Sequence, residues 1–221
     1  AKGVALLLAL SQLYSYSVRA LRQHPWLSQG VGGLLFGGIC VVGMLMPLQI
    51  APGIIFDARS VVLSMASLFG GPWVGSVAVG IAAAYRWHLG GAGASVGVAV
   101  ALACYGMGLA YYWVYRRGWV GLGWWQLLAF GLLVHVVELY LFTWLPGNVG
   151  AAVLQTIALP ILLVFSPATL LMGVILKDVR ARMETEDALG SQEERLRATI
   201  VAIPDLLYVL DAHGTFVEVL S

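Results

Sequence analysis

Residues 59–86 read RSVVLSMASLFGGPWVGSVAVGIAAAYR, an apolar stretch that starts and ends with arginine and is interrupted by Gly70-Gly71-Pro72. As one straight helix it would be about 40 Å long, whereas a hydrocarbon core is only ~30 Å thick. Proline removes a backbone donor, and two adjacent glycines weaken a helix. The stretch therefore predicts two short helices that fold back on each other at these three residues, with Arg59 and Arg86 at the open end. Residues 59–69 alone span only about 16 Å, so the segment is either two spans or re-entrant.

Apolar segments continue on both sides of this stretch. The hydrophobic share of the chain is 60% and the charged share 10%, against about 45–50% and 25% in soluble domains. Stretches of suitable length to cross a bilayer are residues 30–50, 61–85, 96–113, 124–144 and 151–176, with a shorter one at 4–18. We therefore predict an all-α fold, a polytopic transmembrane helical bundle of six or seven helical segments.

Basic residues predict the direction of the spans. They cluster at Arg19 and Arg22, at Arg116 and Arg117, and at Lys177, Arg180 and Arg182. Because lysine and arginine favour the cytoplasmic side, all three clusters are expected there. An even number of passes must then separate the first two clusters, which the broken hairpin supplies and a single straight helix does not. The loops at residues 52–59, 86–92 and 146–150 are then extracytoplasmic.

Arg59 and Arg86 are the first candidates for a binding site. The two ends of a hairpin are neighbours, so two guanidinium groups could converge on one anion, and arginine suits a carboxylate because its planar fork donates two parallel hydrogen bonds. The alternative is that each arginine reaches the lipid headgroups or pairs with Asp57. Both readings remain open at this point.

Glu138 is the only acid within a predicted span, and His135 precedes it by three residues on the same helical face. The pair could line the ligand cavity, with Glu138 balancing an arginine, or could form a structural hydrogen bond between helices. His88 is either an interfacial residue or a pocket contact. Gln49 and Gln155 could add hydrogen bonds to such a cavity or be ordinary packing residues.

Several classes of function are not indicated. The chain has no paired carboxylates, no Ser/His/Asp order, no phosphate loop and no HExxH motif, so no catalytic residues are predicted. Cys40 and Cys104 stand alone without metal-ligand spacing, and we expect no metal and no cofactor in this segment. A net charge of +1 does not indicate nucleic acid.

The last 45 residues differ from the rest. Nine of the eleven carboxylates follow Leu176, and residues 177–200 predict a linker helix whose apolar residues recur at coiled-coil spacing, as in a dimer. The alternative is a solvated helix in a monomer. Two β-type runs then flank Asp211-Ala212-His213-Gly214, a hairpin signal. Residues 201–221 resemble the opening of a cytoplasmic α+β PAS domain, which would have to continue beyond Ser221 to complete a core.

The middle of the chain resembles the LytS-type transmembrane sensor domain (5TMR-LYT family), the multi-span input module of bacterial sensor kinases and cyclic-dinucleotide enzymes. The resemblance covers residues 30–176, and the runs that carry it are PGIIFDAR at 52–59, LFGGPWVG at 68–75, YRWHLGGAG at 85–93 and ALP at 158–160. Residues 1–29 then form an N-terminal helix and cytoplasmic loop. A weaker likeness, through the Gly-rich hairpin, is to substrate-binding subunits of vitamin transporters.

The resemblance implies a receptor in the bacterial inner membrane with a cytoplasmic C-terminus. Some family members are regarded as receptors for small carboxylates such as pyruvate through an arginine pair, which corresponds here to Arg59 and Arg86. The polar partners expected after the second arginine are replaced by Gly97, Val98 and Val100. The implied output is a histidine kinase of a two-component system or a cyclic-di-GMP enzyme. A transport or solute-capture subunit and a passive membrane anchor are the alternatives.

Overall fold

The computed structural model describes residues 24–45, 48–51, 54–145, 149–202, 207–210 and 216–220. The helices are α1 (Pro25–Leu45), α2 (Arg59–Leu89), α3 (Ala94–Arg116), α4 (Trp124–Phe142), α5 (Val149–Pro160) and α6 (Ser166–Ala202), with a π-helical turn at Ile161–Phe165. Strand β1 (Leu48–Ala51) pairs antiparallel with β2 (Ile54–Phe56), and β3 (Leu207–Leu210) pairs antiparallel with β4 (Phe216–Leu220). The predicted short helix at 4–18 and the cluster of Arg19 and Arg22 lie outside the described residues.

Most of the described chain is helix of a length that suits a membrane. Five helical stretches are long and apolar enough to cross one: Trp26–Leu45, Arg59–Leu89, Ala94–Arg116, Trp124–Phe142 and Ile157–Ile200. Large apolar side chains on their outer faces are exposed, as expected where lipid replaces water as the solvent. The predicted all-α polytopic bundle is confirmed.

The first described span differs from the predicted range of 30–50. Helix α1 begins at Pro25, where a proline in the first turn loses no helical hydrogen bond. It ends at Leu45, and Leu48–Ala51 is a strand of a small hairpin. The prediction was wrong here because a short apolar run has the same composition whether it continues a helix or forms a strand.

Helix α2 is two arms that fold back on each other. Gly71 has non-helical dihedral angles of φ 75° and ψ −168°, a conformation that favours glycine. A Cβ on Gly75 would lie 3.1 Å from the Cα atom of Ser67, although residues eight apart in a straight helix are separated by about 12 Å. The chain therefore reverses at Gly71, and the break lies where Gly70-Gly71-Pro72 predicts it.

The first arm of α2, residues 59–70, is the centre of the bundle. Its twelve residues span only about 18 Å, and residues 59 to 69 are all buried. Helix α3 approaches so closely that a Cβ on Gly108 would collide with the carbonyl oxygen of Ser64, and Gly37 of α1 lies against Ile81 of the second arm. A short arm can lie at this depth because other helices, not lipid, surround it.

The bundle has two ends that are defined by different residues. At the end that we call the basic end, Trp26 contacts Trp73 with 5.9 Å between ring centroids. Lys177 at the same end donates to the carbonyl oxygen of Leu122 over 3.2 Å. The opposite end, called the site end, carries Asp57, Arg86 and the turn after Leu89. The ends of both α2 arms that are remote from Gly71 lie at the site end.

Helix α4 packs on the last membrane helix through its glycine. A Cβ on Gly131 would lie 2.9 Å from the Cβ of Thr169 and 3.0 Å from the carbonyl oxygen of Ser166. The rings of His135 and Phe165 are 6.0 Å apart. Helix α4 and the start of α6 are therefore in direct contact beside the π-helical turn.

The chain divides into two compact units, Ala1–Val179 and Arg180–Ser221. Helix α6 is continuous across Gly190. In the second unit β3 and β4 form the hairpin that the sequence predicts, with Leu207 opposite Leu220. The turn residues 211–215 and the Pro-Asp pair at 204–205 lie outside the described residues, and the domain boundaries remain predictions.

Candidate functional site

Asp57 and Arg59 form a buried pair where α2 begins. The Oδ1 atom of Asp57 accepts a hydrogen bond of 2.8 Å from the backbone N–H of Arg59 and lies 3.6 Å from its Nε. An aspartate two residues before a helix commonly turns the chain in this way. The guanidinium also contacts Met44 of α1, whose Sδ lies 3.4 Å from Nη1. The pairing of Arg59 with Asp57, one of the two open alternatives, is thus present.

Arg86 lies on the second arm of α2 and is only 1% exposed. Its Nη1 donates a 2.8 Å hydrogen bond to the carbonyl oxygen of Gly90, in the turn that follows the helix. A Cβ on Gly97 of α3 would lie 2.6 Å from its Nε. The glycine that replaces the expected polar partner therefore makes room for the arginine side chain.

The hairpin brings the two arginines to one place. Arg86 lies within electrostatic range of both Arg59 and Asp57, so two guanidinium groups and one carboxylate occupy the same end of the bundle. Burial raises the pKa of Asp57 above its ordinary value, while the positive charges of Arg59 and Arg86 and the hydrogen bond from the Arg59 amide oppose the shift. The carboxylate of Asp57 thus provides, from within the chain, a negative charge near the two arginines.

Glu138 and His135 approach the same place from α4. Glu138 is 3% exposed and His135 is fully buried. Nδ1 of His135 lies 2.6 Å from the carbonyl oxygen of Gly131, and Nε2 lies 4.0 Å from Oε2 of Glu138. Glu138 is next to Ser60 and within electrostatic range of Arg59 and Asp57. The site thus contains two cations and two acids from three separate segments.

Several polar atoms of this cluster lack a partner within the chain. For the residues that the structure describes, no hydrogen-bond partner is found for Oδ2 of Asp57, Oγ of Ser60, Nε2 of His135 or Oε2 of Glu138. Buried polar atoms in folded proteins almost always have a partner, which can be ordered water or a ligand. These atoms can therefore accept hydrogen bonds from, or donate them to, water or a polar ligand.

One comparison with known proteins identifies the family of the chain. The family model described as 5TMR of 5TMR-LYT matches residues 12–179, about three quarters of the sequence. The chain belongs to the 5TMR-LYT family. Neither the curated proteins nor the solved structures contain a match to it.

Membership places the chain among the multi-span membrane sensor modules of signal-transduction proteins. The 5TMR-LYT match begins at residue 12, earlier than the range of 30–176 that the resemblance covers, so residues 12–24, which precede α1, also belong to the family domain. It ends at residue 179, where the first compact unit also ends. The buried charge cluster lies entirely inside the 5TMR-LYT match.

Other candidate residues lie away from the 5TMR-LYT charge cluster. His88 is exposed and faces the ring of Tyr85, with 6.5 Å between centroids. Gln155 is exposed on α5, and the side chain of Gln49 lies outside the described residues. Unlike these residues, the buried free thiols Cys40 and Cys104 lie within electrostatic range of members of the cluster. Among the described residues, no three His, Cys, Asp or Glu side chains are arranged to hold a metal ion.

Ser60, beside Glu138, and Gly97, beside Arg86, are two neighbours of the charge cluster whose positions sequence reasoning missed. Ser60 follows Arg59 directly, and a serine beside a buried arginine at the open end of a hairpin is a signal that could have been followed. Gly97 was noted only as a missing polar partner. The role of Gly97 depends on how closely α3 approaches the second arm of α2, and the sequence does not reveal that distance.

Proposed function

We propose that this chain is the receptor module of a bacterial signal-transduction protein and that it senses a small extracytoplasmic carboxylate. The observation that carries the proposal is that Arg59 and Arg86 are both buried and lie within electrostatic range of each other at one end of the bundle. Two converging guanidinium groups are stabilised by an anion, and the fork geometry of arginine suits a carboxylate. The carboxylate of Asp57 and the carboxylate of the ligand would then both interact with the two arginines.

The proposed signal route runs from α4 to the last membrane helix. Glu138 and His135 are on the helix whose Gly131 lies against Ser166 and Thr169. The π-helical turn Ile161–Phe165 begins immediately after Pro160, and π-helical turns are weak points that often lie at functional sites. A ligand that changes the position of Glu138 would bias the packing of this turn, provided that it binds the two packings with different affinity.

The proposed output lies after the membrane domain. In the proposal, residues 177–200 form a signalling helix of a homodimer, since Leu189, Leu196 and Ile200 are exposed apolar residues on α6. A PAS domain would begin at about residue 201 and connect to a histidine kinase with its response regulator or to a cyclic-di-GMP enzyme. The localisation proposed is the bacterial inner membrane with the C-terminus in the cytoplasm. The β3–β4 hairpin supports the PAS proposal.

A titration tests the receptor function. The purified chain in nanodiscs is titrated with pyruvate, lactate and acetate, and binding of at least one of them is expected. The double variant Arg59→Gln, Arg86→Gln should lose binding by about a hundredfold, because two charge-assisted contacts are removed. Arg117→Gln is the matched control, since Arg117 is exposed at the basic end. Unchanged affinity in the double variant would reject the proposed pocket.

A solute-capture subunit of a transporter is the second candidate. The observation in its favour is the short, fully buried arm of α2, because broken helices at membrane depth line substrate sites in many transporters. Flux of a bound carboxylate into proteoliposomes that contain only this chain separates the two candidates. The receptor proposal expects binding without flux.

A further inference from the structure

Two hydrogen-bond acceptors face each other in the charge cluster with no donor between them. Nδ1 of His135 lies 2.6 Å from the carbonyl oxygen of Gly131, which can only accept, so Nδ1 carries a proton and Nε2 of the neutral ring is an acceptor. Oε2 of Glu138 is 4.0 Å from Nε2. This separation is too long for a direct hydrogen bond, even if Glu138 were protonated.

Both acceptors are enclosed by protein. His135 is fully buried and Glu138 is 3% exposed. In the described part of the chain neither Nε2 of His135 nor Oε2 of Glu138 has a hydrogen-bond partner, and the same holds for Oγ of the adjacent Ser60. Leaving a buried acceptor without a donor costs about as much as a lost hydrogen bond. Among the described residues, the Ser60 hydroxyl beside Glu138 is the one neutral donor at this place, and it cannot serve both acceptors at once.

We infer that the ligand carries a hydroxyl or ammonium donor next to its carboxylate and that Glu138 and His135 accept from this donor. The inference rests on the proposed function, because the carboxylate is assigned to Arg59 and Arg86. Glu138 lies beside Ser60, the residue after Arg59, and within electrostatic range of Arg59 itself. The inferred ligand is therefore small, a molecule of three or four carbons with its carboxylate at the arginines and its donor at Glu138.

The inference predicts different affinities for carboxylates that differ only in the group on the carbon next to the carboxylate. A 2-hydroxy acid or a 2-amino acid brings a donor to Glu138 and His135. A 2-oxo acid brings only an acceptor, which would face the carboxylate of Glu138 and leave the site unsatisfied. Sites that are built to hydrogen-bond a ligand group discriminate strongly against analogues without it.

The first measurement compares three ligands of nearly equal size. L-lactate, L-alanine and pyruvate are titrated against the full chain in nanodiscs. We expect lactate or alanine to bind at least tenfold more tightly than pyruvate, and the order of the first two tells whether the donor is a hydroxyl or an ammonium. Equal or tighter binding of pyruvate overturns the inference.

The second measurement changes the acceptor. Glu138→Gln keeps the size of the side chain but replaces the carboxylate acceptor with a neutral amide that can also donate to the oxo group of pyruvate, so the preference over pyruvate should fall to about twofold while carboxylate binding persists. Gln155→Ala, an exposed change on α5, should leave the preference unchanged. A preference that survives Glu138→Gln in a protein with unaltered thermal unfolding overturns the inference.

The outcomes also distinguish the inference from the proposed function. If pyruvate binds as tightly as lactate and Arg86→Gln abolishes both, the carboxylate receptor stands and the donor inference fails. If neither these three ligands nor acetate binds, or if binding is insensitive to Arg86→Gln, the proposed function fails and the inference fails with it.

Discussion

At the scale of single residues, Asp57 sets the charge balance of the site. Its carboxylate contacts Arg59 and lies within electrostatic range of Arg86, so a carboxylate ligand competes with a group that is already present. Because burial raises its pKa, Asp57 takes up a proton more readily than an ordinary aspartate. The negative charge of Asp57 is therefore lost at a higher pH than that of an ordinary aspartate.

Asp57→Asn is expected to tighten carboxylate binding by about tenfold at neutral pH, since hydrogen bonds to charged groups contribute about 1.5–3 kcal/mol. In the native chain the affinity should rise as pH falls toward the pKa of Asp57, because protonation removes the competing anion, and the variant should lack this component. Ligand titrations of the native chain and of Asp57→Asn at several pH values check this prediction. Asn keeps the oxygen that accepts from the Arg59 amide, whereas Asp57→Ala also loses that turn and should destabilise the fold by about 1 kcal/mol.

Gly97 is the second residue whose identity matters to the site. A Cβ there would lie 2.6 Å from Nε and 3.1 Å from Cγ of Arg86, so Gly97→Ala should displace the arginine and weaken carboxylate binding by about tenfold. Gly106→Ala on the same helix meets nothing within 4 Å and should gain up to about 1 kcal/mol in stability. Full carboxylate affinity in Gly97→Ala would show that Arg86 does not contact the ligand.

At the scale of elements, the reversal in α2 is what creates the site. Its two arms carry Arg59 and Arg86 to the same end, and the first arm is buried from residue 59 to residue 69. The reversal depends on the positive φ of Gly71.

Gly71→Ala tests this dependence. A Cβ at Gly71 would meet only the ring of Tyr112 at an ordinary 3.4 Å, so the expected loss of about 1–2 kcal/mol is conformational. Gly80→Ala, in the open part of the second arm, is the control and should be neutral or stabilising. Thermal unfolding in detergent measures both. Equal stability of the two variants would contradict a left-handed Gly71.

At the scale of the whole molecule, the two ends of the bundle are expected on opposite sides of the membrane. Arg116, Arg117 and Lys177 are at the basic end, which the positive-inside rule places in the cytoplasm. The site end then opens to the extracytoplasmic side.

Labelling with a membrane-impermeant maleimide checks the orientation. A cysteine introduced at His88 or Trp144, both exposed at the site end, should react in intact cells, and one introduced at Trp119 should react only after lysis. Cys40 and Cys104 are buried and contribute little background. Reaction of His88→Cys and Trp119→Cys from the same side would rule out this topology.

The break in α2 could be predicted from the sequence, because Gly70-Gly71-Pro72 disrupts a helix through its own backbone conformation and hydrogen bonding. Sequence reasoning also named Arg59, Arg86, Asp57, His135 and Glu138, since charges within apolar stretches are rare and need a reason. It missed the β1–β2 hairpin, because Leu48–Ala51 is as apolar as a helix end. It also included His88, whose spacing from Arg86 does not reveal that it faces outward.

The amino-acid order alone determined that this protein is a membrane bundle with a reversed central helix, because hydropathy, proline and glycine act through the nearest few residues. Only the tertiary structure decided that Ser60 and Glu138 meet, that Gly97 makes room for Arg86, and that Glu138 and His135 face each other without a donor. These contacts join segments that are 11 to 78 residues apart in the chain or depend on side-chain direction, and close packing between helices sets them.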